Sequence, residues 1–440
     1  MSAFRNGWGD ESPAPSSRIS GYFRRSVDER VDLLVEQGRI DASEADLLRA
    51  EMSSFPRAVA DSMVENVIGV YGLPLALGLN FLVNGRDYVV PMVIEEPSVV
   101  AAVSHTAKIV RDAGGFEVET DPSLMIGQVQ LVGCEDPDAA RLALLDGKEA
   151  LLSVANALHP KLVERGGGAK DIEVRILGRA SKYTTMVVLH LLVDTCDAMG
   201  ANLVNSMAEG VAPMVESLTG GRVHLRILSN LADRRLVRAQ CRLPAGLLSW
   251  KGYSGAEVAE GVARASEFAE LDPYRAATHN KGVMNGIDAV ALATGNDWRA
   301  IEAGAHAFCA RPTGYGPMAV WRVEEGSLVG RLELPIQVGT VGGPIRLHPL
   351  LEVVYKILDV RSASELSAVM GAVGLAQNLA ALKALATEGI QSGHMSLHAR
   401  SVAATAGARG AQIEDVAQRL IGEGDIKVCR AREILDALGS

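Results

Sequence analysis

The chain has 440 residues, of which 48% are hydrophobic and 22% are charged, and this composition excludes an intrinsically disordered protein. Its 53 acidic and 43 basic residues give a formal net charge of −10, which argues against a broad nucleic-acid-binding surface. The five cysteines include no C-x-x-C pair, so we expect neither a disulfide framework nor a metal site. We find no signal peptide and no run of about 18 apolar residues, and therefore expect a cytoplasmic protein without a membrane partner.

The N-terminal part of the sequence predicts a tail, two helices and a hairpin. Residues 1–17 are polar and rich in turn-forming residues, and we expect a flexible tail there. Capping residues and a helical spacing of apolar residues predict two short helices in SVDERVDLLVEQGRIDASEADLLRA. Apolar, β-branched runs flank Asn84-Gly85, a pair typical of hairpin turns, and Glu95 and Glu96 follow the second run.

Residues 123–229 alternate in the order strand, helix, strand, strand, helix, strand, which is typical of a ferredoxin-like unit. We expect this unit to be a smaller domain inserted into a large one formed by residues 18–122 and 230–387. The large domain should contain a long helix from about residue 364 to 387. Residues 388–440 predict a separate helical C-terminal domain. The length also favours more than one domain, and the predicted fold class is α/β of the α+β type.

A dense group of polar residues lies among small residues between positions 272 and 300, and this pattern indicates backbone close to a ligand. An arginine there can hold a carboxylate in a bidentate fashion, and a lysine can polarise a carbonyl. The alternative is a loop with ordinary surface ion pairs. The group comprises Arg275, His279, Asn280, Lys281, Asn285, Asp288 and Asp297.

Three further patterns have both a catalytic and a plain interpretation. Glu96 ends a strand, so it is either a proton donor held in a buried site or a solvated acid. The segment DAMGAN, residues 197–202, suits a pyrophosphate at a helix N-terminus, but Asp197 is equally typical of an N-cap. His394 and His398 are four residues apart, and a proton-donor role for one of them is favoured over metal binding. The sequence contains no G-x-G-x-x-G dinucleotide motif after a first strand.

Ten segments of this sequence resemble motifs of the 3-hydroxy-3-methylglutaryl-CoA (HMG-CoA) reductases and occur in the same order as in that family. The residues of these segments are similar to those of the soluble, bacterial class II. The resemblance implies a reversible four-electron reduction of (S)-HMG-CoA to (R)-mevalonate and CoA with two nicotinamide cofactors, in mevalonate synthesis or catabolism. The segments are ENVIG, IEEPS, IGQVQ, DAMGAN, RILSNLA, DPYRAATHNKG, TGNDWRA, PxxVGxVGG, LAQN and GHMSLHAR.

The resemblance also implies the residues of the site. The four that match the catalytic residues are Glu96, Lys281, Asp297 and His394. Those that match the binding positions for the substrate carboxylate are Ser98, Arg275 and Asn285, with Asn230 as a further candidate. Those carried over as cofactor contacts are Asp197, Met199, Gly200, Ala201, Asn202 and His159, with Gly339 to Gly343 as a weaker candidate. His279 and His398 are expected in supporting or packing roles.

By the same resemblance, the small domain binds the cofactor and the large domain binds HMG-CoA. The active site lies between the subunits of a homodimer, and a mobile C-terminal domain closes over it. Likeness to the NADH-using branch favours NAD(H), but His159, Lys161 and Arg165 occupy the stretch where a selective acid is expected, so NADP(H) is the alternative. Two rival functions are a reductase of a related 3-hydroxy-acyl-CoA and a non-catalytic CoA-binding protein.

Overall fold

The structure is a computed structural model that describes residues 15–50, 55–179, 184–311, 314–342, 345, 347–387, 389 and 399–438. Helices and strands are mixed throughout these ranges, as the sequence predicts. The two predicted N-terminal helices are α1 (Val27–Glu36) and α2 (Ala42–Arg49), and each begins with a reciprocal capping box. A short helix, α3 (Arg57–Met63), follows them.

The predicted hairpin consists of β1 (Leu75–Val83) and β2 (Arg86–Val93), which pair in antiparallel register. Its two turn residues, Asn84 and Gly85, have φ angles of 48° and 77°, as a tight hairpin turn of two residues requires. Helix α4 (Val99–Asp112) follows β2 and packs its apolar side on the hairpin. Glu95 and Glu96 therefore lie between the end of β2 and the start of α4, as predicted.

The predicted ferredoxin-like unit is a four-stranded antiparallel sheet in the order β5-β6-β4-β7, with its own hydrophobic core. One expected helix is instead two, because the chain turns at Gly147, where a Cβ atom would lie 2.7 Å from the side chain of Leu218. The strands are β4 (Leu124–Val132), β5 (Gly168–Leu177), β6 (Met186–Asp194) and β7 (Arg222–Ser229). The helices are α5 (Pro137–Asp146), α6 (Lys148–Ala157), α7 (Pro160–Val163) and α8 (Ala201–Thr219).

A second four-stranded sheet in the order β11-β12-β8-β3 packs against long helices and forms the main core. Two short strands, β9 (Ala310–Arg311) and β10 (Gly314–Tyr315), pair beside it. The sheet strands are β3 (Glu117–Thr120), β8 (Leu236–Pro244), β11 (Ala319–Glu324) and β12 (Ser327–Pro335). The helices are α9 (Gly255–Leu271), α10 (Pro273–Ala293), α11 (Trp298–Cys309), α12 (Pro349–Leu358) and α13 (Ala363–Ala386).

Helix α13 coincides with the long helix predicted from residue 364 to 387, and it is the central helix of the main core. By length and composition alone it could cross a membrane, but 78% of its most apolar window is buried inside the protein. Burial of this kind is what a core helix of a globular unit shows, since the apolar side chains face other parts of the same chain.

The C-terminal part of the chain is helical, as predicted. Residues 399–405 form α14, and α15 (Ala411–Glu423) and α16 (Val428–Leu438) follow. These helices share a small hydrophobic core of their own, which includes Ala403, Val416, Leu420 and Ile434.

Candidate functional site

The first part of the site is an ion pair between two elements that are distant in the sequence. Lys281 of α10 donates to Glu96 at 2.5 Å between Nζ and Oε2, and Asn285 Nδ2, one turn further along α10, lies 3.4 Å from the same oxygen. Both partners remain accessible, with 60% of the lysine side chain and 38% of the glutamate side chain exposed. The pair therefore places a proton-bearing cation and a carboxylate together at a surface a ligand can reach.

Ser98 has a strained backbone, and its hydroxyl has no hydrogen-bond partner among the described residues. Its φ angle is 75°, a left-handed conformation that residues with a Cβ atom rarely adopt. Although Ser98 is the N-cap residue of α4, its Oγ caps no backbone group, and this buried atom has no hydrogen-bond partner within the described residues. An orphaned hydroxyl beside free helix N–H groups suits an anionic ligand. Glu96, Ser98, Lys281 and Asn285 are called the Glu96 cluster below.

Arg275 lies near the start of α10 and is half-buried. In the described part of the chain no carboxylate lies within ion-pairing distance of its guanidinium, and burial lowers its pKa. A partly buried arginine without an acidic neighbour is available to bind a carboxylate from a ligand. It is thus a suitable anion-binding group near the Glu96 cluster.

Asp297 lies apart from Glu96 and Lys281 in this chain. Its carboxylate caps α11 by accepting from the backbone N–H of Ala300 at 3.1 Å, and it is 3.5 Å from Arg299. Twelve residues of α10 separate Lys281 from Ala293, the end of the helix that precedes Asp297, and this length corresponds to about 18 Å. A lysine side chain cannot span that distance.

Asp297 is instead adjacent to the two glycine-rich segments that the sequence marks as cofactor candidates. Asn296 accepts from the backbone N–H of Gly339 at 2.8 Å, and Thr340 donates to the carbonyl of Asp197 at 2.9 Å. A Cβ atom on Gly339 would lie 2.5 Å from the backbone nitrogen of Met199, so only glycine permits this contact. Asp297, Asn230, residues 197–202 and Gly339 are called the Asp297 cluster below.

Asn230 belongs to the Asp297 cluster because its carbonyl accepts from Gln337, which also donates to the carbonyl of Ala300 near the start of α11. Its side chain is exposed. Within one chain, Asn230 therefore lies apart from the other three residues expected to hold the substrate carboxylate.

The DAMGAN segment leads into α8 with its helix N-terminus free of a side-chain cap. Asp197 does not cap this helix, since its carboxylate accepts instead from the backbone N–H of Ala363 at the start of α13. Gly200 has a φ angle of 99°, and a Cβ atom there would lie 2.3 Å from Thr195. Uncapped N–H groups and close backbone approach fit the pyrophosphate of a nicotinamide dinucleotide.

His159 contacts α8 one turn after the start of that helix. Its Nε2 is 2.7 Å from Oγ of Ser206, which is on α8 one turn after Asn202. The basic residues Lys161, in α7, and Arg165, just after it, follow His159 in the chain. Arg165 lines an open cleft of about 440 Å³ together with Asp197.

Arg235 was not identified from the sequence, yet it anchors the Asp297 cluster. It is 4% exposed and donates to the carbonyl of Val338 at 2.6 Å and to that of Ala198 at 3.3 Å. Burial lowers its pKa to about 10, although Asp194 and Asp197 offset part of that effect. An arginine in a strand-forming sequence gives no local signal of such long-range contacts.

Asp288 was noted in the sequence as part of the polar group, and the structure gives it partners. Burial and a hydrogen bond with Glu302 raise the pKa of Asp288 to about 8. Glu302 is 2.7 Å from Nε2 of His306, whose Nδ1 is 2.6 Å from the hydroxyl of Tyr315. This hydrogen-bonded chain supports α10 one turn beyond Asn285.

The other histidines of the predicted motifs are either in the core or outside the described residues. His279 is 2% exposed, and its Nε2 donates to the carbonyl of Ala319 at 2.9 Å, which fits the expected packing role. His394, His398 and Gly343 lie outside the described residues, so their assignments remain predictions. Among the described residues no group of three or more His, Cys, Asp and Glu side chains is arranged to hold a metal ion.

Comparison with known proteins identifies the family of this chain. A family profile described as hydroxymethylglutaryl-coenzyme A reductase matches residues 26–399. The chain belongs to this family. It is 48% identical over 428 residues to the 3-hydroxy-3-methylglutaryl-coenzyme A reductase of Archaeoglobus fulgidus, covering 97% of this chain and 96% of that protein. It is 36% identical to a probable HMG-CoA reductase of Borreliella burgdorferi over 78% of this chain and 77% of that one.

Solved HMG-CoA reductase structures are similar over nearly the whole fold. One from Streptococcus pneumoniae is 43% identical with a TM-score of 0.80, covering 95% of this chain and 99% of that chain. Another, described as the class II enzyme of the same organism bound to NADPH in open conformations, is 44% identical with a TM-score of 0.79, covering 94% and 100%. The family predicted from the motifs, the soluble class II of HMG-CoA reductases, is therefore confirmed.

Proposed function

We propose that this HMG-CoA reductase converts (S)-HMG-CoA to (R)-mevalonate and CoA with two reduced nicotinamide cofactors, and that the Glu96 cluster is its reaction centre. The observation that carries the proposal is the 2.5 Å contact of Lys281 with Glu96, beside Asn285, in a chain of this family. The reaction reduces a thioester to a hemithioacetal, releases CoA from it, and reduces the resulting aldehyde. When bound, the cofactor supplies a hydride to each reduction.

Lys281 is the electrophilic residue in this proposal. Its ammonium group stabilises the negative charge that develops on the substrate oxygen in each reduction, as a preorganised cation does. Glu96 accepts a hydrogen bond from that ammonium group as a carboxylate. Once its carboxyl group has been protonated, it donates that proton to the aldehyde oxygen in the second reduction. Asp297 couples the protonation of these two residues when it is brought to them, and His394 protonates the departing CoA thiolate.

The substrate carboxylate is bound by Ser98, Arg275 and Asn285, with Asn230 from the other cluster. Support comes from the orphaned hydroxyl of Ser98, from the unpaired guanidinium of Arg275 within the described residues, and from the side-chain amide of Asn285, which donates to Glu96 at 3.4 Å. Together these groups match an anion held beside a reacting carbonyl.

Residues 197–202 of the ferredoxin-like unit bind the cofactor in this proposal. Asp197, Met199, Gly200, Ala201 and Asn202 form the uncapped start of α8, where the pyrophosphate fits, and His159 and Gly339 lie next to it. Residues 123–229 are thus the cofactor domain, residues 18–122 and 230–387 the substrate domain, and residues 388–440 a closing C-terminal domain.

Cofactor preference is a separate part of the proposal. Overall likeness favours NADH, whereas His159, Lys161 and Arg165 place positive charge where a 2′-phosphate would lie, and a similar solved enzyme is described as bound to NADPH. We expect turnover with both cofactors. Measurement of kcat/KM with NADH and with NADPH tests this expectation. Complete inactivity with NADPH would show that the enzyme is strictly selective for NADH.

The site is complete only in a homodimer, because Asp297 and Lys281 lie about 18 Å or more apart along α10 in one chain. A second subunit can bring its Asp297 cluster, with the bound cofactor, to the Glu96 cluster of the first. Assembly beyond the dimer is compatible with this arrangement.

The activity test follows nicotinamide absorbance and free CoA thiol together after mixing with HMG-CoA. The expected result is two nicotinamides oxidised per thiol released, and oxidation without thiol release would disprove the proposal. An acyl-CoA analogue without the distal carboxylate should react far more slowly, since Arg275 then has no partner. Equal rates would favour the rival substrate, a related 3-hydroxy-acyl-CoA, and no turnover of either would favour a non-catalytic CoA-binding protein.

Two variants separate the proposed roles of the catalytic residues. Lys281→Ala should abolish reduction of both HMG-CoA and free mevaldehyde, because the oxyanion forms in both steps. A His394→Gln variant should lose HMG-CoA reduction but keep mevaldehyde reduction, which releases no thiolate. Loss of both activities in the His394 variant would show that its assigned role is wrong.

A further inference from the structure

Residues 336–340, which follow β12, form a segment that is mostly buried although it belongs to neither a helix nor a strand. The buried backbone groups of such a segment need partners from other elements. The N–H of Gly339 donates to the side chain of Asn296 at 2.8 Å, and the N–H of Thr340 donates to the carbonyl of Asp197 at 2.9 Å. The 336–340 segment therefore joins the residues just before α11 to the turn before α8.

Arg235 attaches this segment to the turn of residues 195–200, which leads into α8 and is called the cofactor turn below. Its guanidinium donates to the carbonyl of Val338 at 2.6 Å, to that of Ala198 at 3.3 Å and to the hydroxyl of Thr195 at 3.4 Å. All three acceptors are neutral oxygen atoms, and the arginine is only 4% exposed. One planar fork of donors thus holds two separate stretches of backbone at a fixed spacing.

Gln337 attaches the same segment to α11. Its Nε2 donates to the carbonyl of Ala300 at 2.7 Å and to that of Asn230 at 3.1 Å, and the side chain is fully buried. Ala300 is also the residue whose N–H is capped by Asp297. A Cβ atom on Gly304 would lie 2.5 Å from the carbonyl oxygen of Asn230, so glycine permits this close approach of α11. Gln337 therefore holds the helical turn that Asp297 caps.

Arg235 contributes geometry rather than free positive charge. Burial lowers its pKa to about 10, and the negative charges of Asp194 and Asp197 offset part of that effect. The guanidinium therefore stays protonated at neutral pH, but the two acids near it reduce its attraction for an anionic ligand. What remains is the fixed spacing between the cofactor turn and the 336–340 segment.

We propose that Arg235 and Gln337 are positioning residues, which hold the cofactor turn and Asp297 at a fixed separation through the 336–340 segment. This inference rests on the proposed function, in which the cofactor binds at the cofactor turn and Asp297 takes part in proton transfer. A reaction between bound groups is sensitive to such geometry, since a misplacement of about 1 Å lowers a rate by about 100-fold. Arg235 acts on cofactor binding, and Gln337 acts on the chemical step.

Cofactor binding tests the role of Arg235 without any dependence on turnover. Arg235→Lys keeps the charge but lacks the planar fork, so it cannot reach the carbonyls of Val338 and Ala198 together. Titration of the full-length protein, followed by nicotinamide fluorescence, should show Kd values for NADH and NADPH raised roughly 10-fold. Unchanged Kd values in the folded variant would overturn the proposal. If the parent protein bound neither cofactor, the proposed function itself would fail.

Arg39 provides a matched control, because it is a second buried arginine that bridges two backbone carbonyls. It is 7% exposed and donates to the carbonyls of Pro15 and Ile357, away from the cofactor turn. Arg39→Lys should lower the unfolding temperature, as Arg235→Lys does, but should leave the Kd values for both cofactors unchanged. An equal loss of cofactor affinity in Arg39→Lys would show that general destabilisation explains the effect, and the proposal would be wrong.

Gly339→Ala keeps the proposal testable if Arg235→Lys does not fold. A Cβ atom at this position would lie 2.5 Å from the backbone nitrogen of Met199, so alanine pushes the 336–340 segment away from the cofactor turn. The variant should raise the same two Kd values while Arg235 itself is intact. Parent affinity in folded Gly339→Ala would contradict the need for a fixed spacing.

Steady-state kinetics test the role of Gln337. Gln337→Met keeps a similar volume but has no N–H donor, and the carbonyl of Asn230 still accepts from the N–H of Ala232 at 3.0 Å, so the stability should change little. With HMG-CoA, kcat should fall roughly 10- to 100-fold, while the Kd for NADH stays at the parent value. Gly304→Ala, which pushes α11 away from Asn230, should lower kcat in the same way. Parent kcat in both folded variants would refute the positioning role of Gln337.

Discussion

His279 shows how a residue inside a functional motif can have a packing role. It precedes Lys281 by two residues, but its imidazole faces the core rather than the Glu96 cluster. A carbonyl accepts the hydrogen bond from its Nε2, so that nitrogen carries the proton and the buried Nδ1 does not. A second proton would place a charge on Nδ1 without an acceptor, which is why burial lowers its pKa to about 4.

The pH dependence of stability follows from this shift. The unfolded chain protonates this imidazole near pH 6.5, while the folded chain resists until about pH 4, so the unfolded state gains protons first. Stability contributed by His279 is therefore intact above pH 6.5 and falls as pH decreases toward 4, by up to about 3 kcal/mol. Urea unfolding at a series of pH values should show this loss, and His279→Gln should make the decrease shallower. A native imidazole that titrates near 6.5 by NMR would contradict the assignment.

At the residue scale, sequence reasoning identified candidate residues that lie in motifs and missed a residue whose contacts depend on distant partners. Glu96, Lys281 and Asn285 were identified from their motifs, and the structure brings them together. Arg235 was not identified, because only the folded chain shows that it donates to carbonyls of two separate segments. The plain N-cap interpretation of Asp197 was wrong, since its carboxylate caps α13 and not the helix that follows it.

At the scale of elements, local sequence signals matched the structure closely. Capping boxes begin α1 and α2, and the Asn84-Gly85 pair forms the expected turn. The expected continuous helix from residue 136 to 158 instead divides at Gly147, because the backbone there lies against Leu218 of α8. A helix break of this origin depends on the packing of a neighbouring helix, which no local pattern contains.

Gly330 is a case in which packing between strands selects the residue. It pairs with Trp321 across the β11–β12 ladder, and the indole, which is fully buried, covers the place where a side chain would be. A Cβ atom at Gly330 would lie 2.3 Å from the Trp321 ring. Trp321 cannot easily move away, since its Nε1 also donates to Asn378 at 2.8 Å.

Gly330→Ala should therefore destabilise the protein by about 1 to 3 kcal/mol through overpacking. Gly422→Ala is the matched control, because Gly422 is in the last turn of α15 with open space around it, and alanine favours a helix there. Denaturant unfolding of both variants should give opposite signs of change. Equal stability of Gly330→Ala and the parent would show that the ring relaxes freely.

At the scale of the whole molecule, the two clusters of the site lie on different parts of the chain. The Glu96 cluster is on the main core, and the Asp297 cluster joins the start of α11 to the sheet unit that contains α8. A reaction that needs both clusters requires them to come from two subunits. Under the proposed function, a dimer would therefore be a condition for catalysis and not only for stability.

Complementation between inactive variants tests this arrangement. Lys281→Ala and Asp297→Asn should each be inactive alone, but co-expressed chains form mixed dimers in which one site has both parent residues. Random pairing should restore roughly a quarter of the parent activity, because half of the dimers are mixed and one site in each is intact. No recovery in dimers proven to be mixed would place Lys281 and Asp297 in the same subunit.

The sequence by itself determined the family, the order of helices and strands, and most of the candidate residues. Those properties reside in short segments, where capping, turn residues and apolar spacing act over a few positions. The tertiary structure decided which of these residues meet. Glu96 and Lys281 are 185 positions apart in the sequence and are in contact. Lys281 and Asp297 belong to one continuous segment, but the twelve residues of α10 that follow Lys281 separate them. Proximity of side chains depends on how whole elements pack, and a local pattern does not record that.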